Sequence, residues 1–598
     1  MKTKRFIVAL LMAVVATGPA FAQLNHQATK TGHKKFDEDV QGMYDRYNKF
    51  RKKIIQDYCE FIGDKDRWKQ MMGEAPVPVP QEEEIVPQLA PGADQETASW
   101  FGSQMDKLHR YLTANNKPIP KSMQRGQQRP QPRKAAQGKP QPRQTAQNKS
   151  RTQQRSKSQS QTKQQNQSKQ NQSSTQKPPL VGPEEAPYDD EIPPLTSDVL
   201  PVKTVIQPEP ELPPVEPEVE PMNFTSTFDN GEYTAYTVFG TQCKVRIGKD
   251  CKFTLRDLQP RTLANAIENF SDSQYENLLY DCLQERKRHD FSDWAYYQML
   301  QTVTRQFYGE TSNEAVLAMA FLYSQSGYKM RLAHDGTHLF MLVATHHFIY
   351  NKPFFNMDGE YFFMLDGREA GSLRICDAKF PKESSLSLQM TANQQLAQNP
   401  TNKRTITSKM NSNFSFTISS NQNYLDFYGT YPSSYLNNNF MTRWAMYANT
   451  PLEKGVRDQL YPALKQKLAG LSKKDAVQQL LWWVQTGFDY AYDEEVWGED
   501  RAFFGEESLF YPFCDCEDRS ILLSHLVRDL VGLDVCLVYY PGHLAMAVCF
   551  NEDVAGDYYL YEGRKFVVCD PTYIRARIGD TMPMVKGLET NLILLQKS

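Results

Sequence analysis

The C-terminal part of the chain holds a cysteine, a histidine and an aspartate in the order of a nucleophilic triad. Cys516 heads an apolar run, His543 follows 27 residues later at the start of a strand-like run, and Asp570 follows after another 27 at the end of the next one. Such intervals are unlike the short spacings of metal ligands. They suit a thiol nucleophile whose proton passes to an imidazole that a carboxylate orients.

The spacing of apolar residues predicts the elements that carry this triad. Leucines and valines at helical intervals predict a buried helix that begins at about Cys516. Asp515 is its predicted N-cap, and Asp518 completes a capping-box pattern. A thiol in the first helical turn lies near unpaired N–H groups and the positive end of the helix dipole, which favour the thiolate. Three strands are predicted next: VCLVYY, one that starts at His543 and one that ends at Asp570.

Three sequence blocks around these residues resemble the transglutaminase-like superfamily, including its bacterial cysteine-protease branch. The blocks are CEDRSILLSHLVRDLVGLDV, PGH and CDPT, and the resemblance covers roughly Asp475 to Tyr573. It implies a papain-like α+β fold, in which helices pack on an antiparallel sheet, with Cys516, His543 and Asp570 as catalytic residues. It also implies acyl transfer through a thioester, which gives peptide or amide hydrolysis when water is the acceptor and cross-linking when an amine is.

Two features near the predicted nucleophile leave alternatives open. Asp515 precedes Cys516 where the family usually has Gly or another small residue, and Cys514 is a structurally neutral neighbour, a redox partner or, least favoured, a metal ligand. The backbone N–H of Cys516 is a natural oxyanion donor. The candidates for a second donor are Gln485, Tyr490 and Tyr511.

The folded part of the chain is predicted to contain two related units. A shift of 181 positions aligns Leu279 with Leu460, and a shift of 205 aligns His338 with His543, each within a longer run of matches. Such a repeat predicts tandem α+β units. The segments VFGT and FYGT also match, and each is expected to end a strand in its unit.

The first unit is expected to be a degenerate copy without catalytic activity. Thr311 and His338 fall on the positions of Cys516 and His543, and Asp366 falls on that of Asp570 after a slip of one residue. Thr311 and Glu314 form a predicted helix capping box, TSNE, and an unactivated threonine hydroxyl is a poor nucleophile. The role expected for this unit is to pack on the second unit or to bind substrate.

The second unit carries 24 extra residues directly ahead of Cys516, and they are acidic and aromatic. One interpretation makes them the wall of a substrate cleft that favours basic or amine-bearing substrates. The alternative makes them a packing loop whose aromatic rings fill core. The side chains assigned to substrate contact are Trp497, Phe504, Glu506, Glu507 and Tyr511.

The chain begins like an exported protein. A basic start, the apolar run Ile7–Val15 and the small residues before Gln23 predict a signal peptide, and the apolar run is too short to span a membrane. Residues Phe36–Met72 and Thr97–Leu112 are predicted helices. The predicted divisions are a signal peptide (1–22), an N-terminal helical segment (23–113), a linker (114–222), the degenerate unit (223–380), a connecting β-rich region (381–440) and the catalytic unit (441–598).

The linker is predicted to be disordered along its whole length, first basic and then acidic. Asn115–Leu180 has fifteen Lys or Arg and no acid, whereas Gly182–Pro221 has eleven Asp or Glu, many prolines and one Lys. The basic part is read as a solvated tether, with contact to a polyanion or a cell surface as the alternative. No nucleic-acid partner is expected. Cys243 and Cys251 are the cysteines best placed to form a disulfide.

The sequence therefore predicts a periplasmic or extracellular cysteine hydrolase of peptide or isopeptide bonds, with protein or peptide substrates and no implied cofactor or metal. One alternative is a binding or scaffold protein in which both units are inactive. Another is a cross-linking enzyme, motivated by the Gln and Lys content of the tether.

Overall fold

The structure is a computed structural model, and it describes residues 84–85 and, with short gaps, the chain from residue 182 to residue 596. The described residues are 84–85, 182–187, 194–210, 212–223, 233–350, 352–357, 359–368, 371–376, 382–497 and 500–596. The predicted signal peptide, the helices at Phe36–Met72 and Thr97–Leu112 and the basic tract Asn115–Leu180 lie outside these residues. None of the described helices combines the length and the apolar composition that a membrane crossing requires.

The described chain is mixed α+β. Its helices are α1 (Pro260–Ser271), α2 (Tyr275–Arg288), α3 (Asp293–Tyr308), α4 (Asn313–Gln325), α5 (Gln422–Tyr428), α6 (Thr442–Asn449), α7 (Lys454–Leu468), α8 (Lys473–Gly487), α9 (Asp493–Val496), α10 (Gly505–Phe510) and α11 (Cys516–Val531). Its strands are β1 (Glu84–Ile85), β2 (Glu184–Glu185), β3 (Val202–Ile206), β4 (Tyr233–Val238), β5 (Thr241–Arg246), β6 (Met330–His334), β7 (Leu339–Ala344), β8 (Phe348–Ile349), β9 (Phe354–Met357), β10 (Glu360–Met364), β11 (Leu373–Cys376), β12 (Arg404–Thr407), β13 (Ser415–Ile418), β14 (Ser434–Tyr435), β15 (Asp489–Tyr490), β16 (Phe513–Cys514), β17 (Asp534–Tyr540), β18 (His543–Cys549), β19 (Tyr558–Tyr561), β20 (Arg564–Cys569), β21 (Tyr573–Ile574) and β22 (Thr590–Leu594).

Two six-stranded sheets dominate the fold, and five of their strands follow the same order. The first sheet runs β1-β11-β6-β7-β10-β9, and the second, read from its other edge, runs β3-β22-β17-β18-β20-β19. A shift of 205 residues carries α4, β6, β7, β9 and β10 onto elements of the second set, and a shift of 181 carries α2 and α3 onto α7 and α8. The sequence matches therefore fall within corresponding elements.

One of the proposed matches does not hold. The glycine of VFGT, Gly240, forms the turn of the β4–β5 hairpin with φ of 71°. The glycine of FYGT, Gly429, is the C-cap of α5, so its segment is a helix and not a strand. The prediction that both segments close strands is wrong for the second. The region 381–440 contains the β12–β13 hairpin, β14 and α5, so it is only partly β-structured.

The prediction of a wholly disordered linker is wrong for its acidic part. Strand β3 pairs in parallel with β22 and forms the edge of the second sheet, and β2 pairs in parallel with β21. Ala186 and Leu200 are buried in the small core against this sheet, and Ile206 is buried in the main core. A few apolar side chains are enough to order this part of the linker, because strands β22 and β21 supply the backbone hydrogen-bond partners.

Candidate active site

The nucleophile candidate lies at the start of α11, as predicted. Asp515 caps the helix by accepting the Glu517 N–H at 3.1 Å, and Asp518 accepts the Asp515 N–H at 3.1 Å, so the predicted capping box is confirmed. Gly532 ends the helix with the left-handed φ of 65°. The helix packs on β17 and β18 and is buried along most of its length, which fixes Cys516 against the second sheet.

The histidine and the aspartate form a buried pair at two neighbouring strand ends. His543 is the first residue of β18, and Asp570 directly follows β20, its partner strand. His543 Nε2 donates to Asp570 Oδ2 at 2.9 Å. The other carboxylate oxygen, Oδ1, accepts the backbone N–H groups of Thr572 at 2.8 Å and Tyr573 at 3.3 Å. The aspartate is therefore held by the chain on one side and orients the imidazole on the other.

Cys516 and His543 begin two packed elements, α11 and β18, and no hydrogen bond joins the thiol to the imidazole. The Leu544 N–H is hydrogen-bonded to the Cys516 sulfur, and Ser520 Oγ donates to the Leu544 carbonyl at 3.1 Å. The first turn of α11 thus contacts the residue that follows His543. His543 Nδ1 is buried and has no hydrogen-bond partner among the described residues.

A dense group of carboxyl groups surrounds the start of α11. We call Asp493, Asp500, Asp515, Glu517 and Asp518 the acidic cluster. Arg443 donates to Asp500 at 2.7 Å and to Glu517 at 3.2 Å. Burial raises the pKa of the Cys516 thiol well above its usual range, and the charges of Asp515 and Glu517 raise it further. The surroundings of Cys516 therefore disfavour the thiolate.

The acidic cluster has the donor groups for a hard cation. Oxygen atoms of Asp493, Asp515 and Asp518 lie within 4.8 Å of one another, as do those of Asp493, Asp500 and Glu517. Burial and mutual repulsion raise the pKa of Asp493, Asp515, Glu517 and Asp518 well above the usual range. Both oxygens of Asp518 already accept backbone N–H groups, so the cluster also has a capping role.

The three candidates for the second oxyanion donor have different surroundings. Gln485 is buried, and its amide donates to the carbonyls of Asp570 at 3.0 Å and Ala576 at 3.3 Å. Tyr511 is buried among Trp497 and Phe503. Tyr490 is only partly buried, and its pKa is raised by burial and then by the neighbouring Cys516. Tyr490 is therefore the least buried of the three candidates.

Arg519, three residues after Cys516, is a structural residue that the sequence analysis missed. Its guanidinium is buried and donates to three backbone carbonyls, those of Gln485 at 3.1 Å, Phe488 at 2.9 Å and Pro571 at 3.4 Å. It thereby ties the nucleophile helix to the end of α8 and to the residue after Asp570. An arginine in an apolar helix face is the sequence signal that could have revealed it.

The side chains assigned to substrate contact are buried in the core. Phe504 stacks on Tyr428 with ring centroids 4.2 Å apart, and Glu507 pairs with Arg501. Each of the five is exposed by 4% or less: Trp497, Phe504, Glu506, Glu507 and Tyr511. They do not line an open cleft. The insertion is therefore a packing loop whose aromatic rings fill core, which is the second of the two interpretations given for it.

The cysteines near the site and in the first unit carry free thiols. Cys514 is buried, and burial raises its pKa to about 12 although the Arg519 guanidinium opposes this. No bond joins Cys514 to Cys516. Cys243 and Cys251, the two cysteines best placed to pair, are both free thiols and form no disulfide.

The corresponding positions of the first unit do not form a triad. Ser312, not Thr311, caps α4, and Glu314 accepts the Leu255 N–H at 2.7 Å, so the predicted TSNE capping box is wrong. His338 is exposed and bonds to Asp335 at 3.1 Å. Asp366 pairs with Arg368 through a 2.7 Å bond from Nε. The histidine and aspartate thus have local partners instead of each other.

The chain matches no family model, no curated protein and no solved structure. Its function is therefore inferred from the geometry of its own residues.

Proposed function

We propose that this protein is an exported cysteine hydrolase that cleaves peptide or isopeptide bonds through a thioester, with two transglutaminase-like units of which only the second is catalytic. The observation that carries the proposal is the state of His543. Its Nε2 is bonded to Asp570 at 2.9 Å, while its Nδ1 is buried without a partner beside the strand residue that contacts the Cys516 sulfur. A buried nitrogen without a partner costs free energy, and accepting the thiol proton satisfies it.

In this mechanism the Cys516 side chain turns from the Leu544 N–H toward His543 Nδ1. Nδ1 takes the thiol proton, the sulfur attacks the amide carbonyl, and Asp570 stabilises the imidazolium. The Cys516 backbone N–H and the Tyr490 hydroxyl stabilise the oxyanion. His543 then gives the proton to the leaving amine as the C–N bond breaks. Water, deprotonated by His543, cleaves the thioester and restores the thiol.

A second candidate is a non-catalytic binding protein that retains the triad residues as packing. The specific observation in its favour is the setting of Cys516, which is 6% exposed and surrounded by carboxyl groups that oppose the thiolate. In that case His543 and Asp570 have only a structural role.

Alkylation of Cys516 separates these two functions. Under the hydrolase proposal iodoacetamide modifies Cys516 in the wild type, and His543→Ala slows the modification at least about tenfold at neutral pH, because no base then takes the thiol proton. Cys514→Ser is the matched control for the neighbouring thiol, and His525→Gln is the control for another buried histidine on α11. Both should label like the wild type. Equal labelling of His543→Ala and the wild type would support the binding protein.

A further inference from the structure

Three donors of different chemistry meet in the first half of the chain, away from the candidate active site. Cys243 lies on β5, and Glu285 and His289 lie four residues apart at the end of α2. The Cys243 sulfur, a Glu285 carboxylate oxygen and a ring nitrogen of His289 are all within 4.8 Å of one another. Strand β5 packs on α2, so two separate elements bring these donors together.

The spacing of the donors fits a metal ion better than a direct contact. His289 Nε2 and Glu285 Oε2 are 3.2 Å apart, yet the pair lacks the geometry of a hydrogen bond. Both atoms are buried and have no hydrogen-bond partner among the described residues. Two ligand atoms about 2.0–2.1 Å from a tetrahedral zinc ion are about 3.3 Å from each other. The observed separation matches that value.

The surrounding groups already orient the donors. The other ring nitrogen of His289, Nδ1, lies 3.2 Å from the Gln395 carbonyl and donates to it, which leaves the lone pair on Nε2. Arg288 donates to Glu285 Oε1 at 2.5 Å, so Oε2 is the oxygen that remains for a metal. The His289 ring is further held by stacking on Phe291 at 5.3 Å. Partners of this kind fix ligand orientation in metal sites.

We propose that Cys243, Glu285 and His289 form a zinc site. A thiolate, an imidazole and a carboxylate favour Zn²⁺ over Ca²⁺ or Mg²⁺, which take oxygen ligands. The thiolate and the carboxylate balance the charge of the ion, and the carboxyl end of α2 favours a cation. Three protein ligands leave the fourth position to water, and the 16% exposure of the His289 side chain provides access. Binding displaces the thiol proton of Cys243 and links the β4–β5 hairpin to α2.

Titration of the metal-free, full-length protein with Zn²⁺ or Co²⁺ tests the site. One equivalent should bind, and Co²⁺ should give a thiolate charge-transfer band. Cys243→Ser should abolish the charge-transfer band. Both Cys243→Ser and His289→Gln should no longer bind the one equivalent of metal ion. Cys251→Ser is the matched control, since it removes a buried thiol of the same unit that lies outside the donor set. Asp493→Asn tests the acidic cluster as a rival cation site, because Asp493 belongs to both of its groups of carboxylate donors.

Retention of the bound metal equivalent in both Cys243→Ser and His289→Gln would overturn the proposal, as would its loss only in Asp493→Asn. If Cys243→Ser does not fold, His289→Gln decides, because His289 is the least buried ligand. Zinc should raise the thermal midpoint of the wild type and leave that of His289→Gln unchanged. No binding by the wild type would mean that Glu285 and His289 form only an ion pair and would overturn the site.

Discussion

Replacing Asp570 by Asn should hold His543 in the tautomer that cannot accept the thiol proton. Asp570 Oδ1 accepts the N–H groups of Thr572 and Tyr573, so the amide oxygen of Asn must occupy this position. The amide NH₂ then replaces Oδ2, which lies 2.9 Å from His543 Nε2. Because the NH₂ group donates, Nε2 must carry the lone pair and Nδ1 the hydrogen. Nδ1 then has no lone pair for the proton of Cys516.

The reduction in rate expected for Asp570→Asn follows from two contributions. Loss of the charge-assisted bond to the imidazolium costs about 1.5–3 kcal/mol, a factor of about 10–150 in rate. The wrong tautomer increases the total reduction in rate to a factor of about 10³–10⁴ for a triad that acts through this imidazole. Asp570→Ala loses the same bond but leaves both tautomers available, so its rate should lie between those of Asp570→Asn and the wild type.

The assay is the second-order rate of Cys516 alkylation by iodoacetamide, followed by mass spectrometry between about pH 5 and pH 9. Thermal unfolding of each variant shows whether the fold is intact. Labelling of Asp570→Asn at the wild-type rate would refute the tautomer explanation. So would an Asp570→Ala variant that is slower than Asp570→Asn while both remain folded.

Two further predictions concern stability. Burial raises the pKa of Glu506 from 4.5 to about 7, so the stability that protonated Glu506 gives is present below pH 4.5 and lost as the pH rises through about 7. Glu506→Gln should match the wild type in urea unfolding near pH 4 and exceed it by about 3 kcal/mol above pH 8, and the same pH dependence in both proteins would contradict this. Ile206 is buried at the end of β3, so Ile206→Ala should lower the free energy of unfolding by about 2–4 kcal/mol. Thr204→Ala, which changes an exposed side chain of the same strand, should change it by less than about 0.5 kcal/mol. An equally small effect of Ile206→Ala would mean that β3 does not belong to the folded unit.

The elements that carry Cys516, His543 and Asp570 were predictable because their apolar residues are contiguous and regularly spaced. The capped start of α11 and the strand ends at His543 and Asp570 follow from local patterns of this kind. The mixed α+β class was also predicted correctly. The transglutaminase-like identity of the two units stays a prediction.

Features that depend on contacts between distant segments were not predictable in the same way. Strand β3 is hidden by its acidic and proline-rich neighbours, since its folding depends on the edge of β22, almost four hundred residues later. The aromatic residues of the insertion fit a cleft wall as well as a core until their partners, such as Tyr428 for Phe504, are known. The donor set of Cys243 with Glu285 and His289 likewise requires the packing of β5 on α2.

The charge of the Cys516 thiol shows how such contacts can reverse a local expectation. The helix start favours the thiolate by about 0.3–1 kcal/mol, or about 2 kcal/mol when partly buried. Asp515 and Glu517 each have an oxygen within 4.8 Å of the sulfur, where one ionised carboxylate opposes a thiolate by about 3.5 kcal/mol at an effective dielectric constant of about 20. A single ionised neighbour therefore outweighs the helix dipole, and burial, which is the largest cause of the raised pKa of Cys516, opposes the thiolate further. The thiolate then becomes favourable only as an ion pair with a protonated His543, so the reactivity of Cys516 should depend on His543 and Asp570 more strongly than on the helix that presents it.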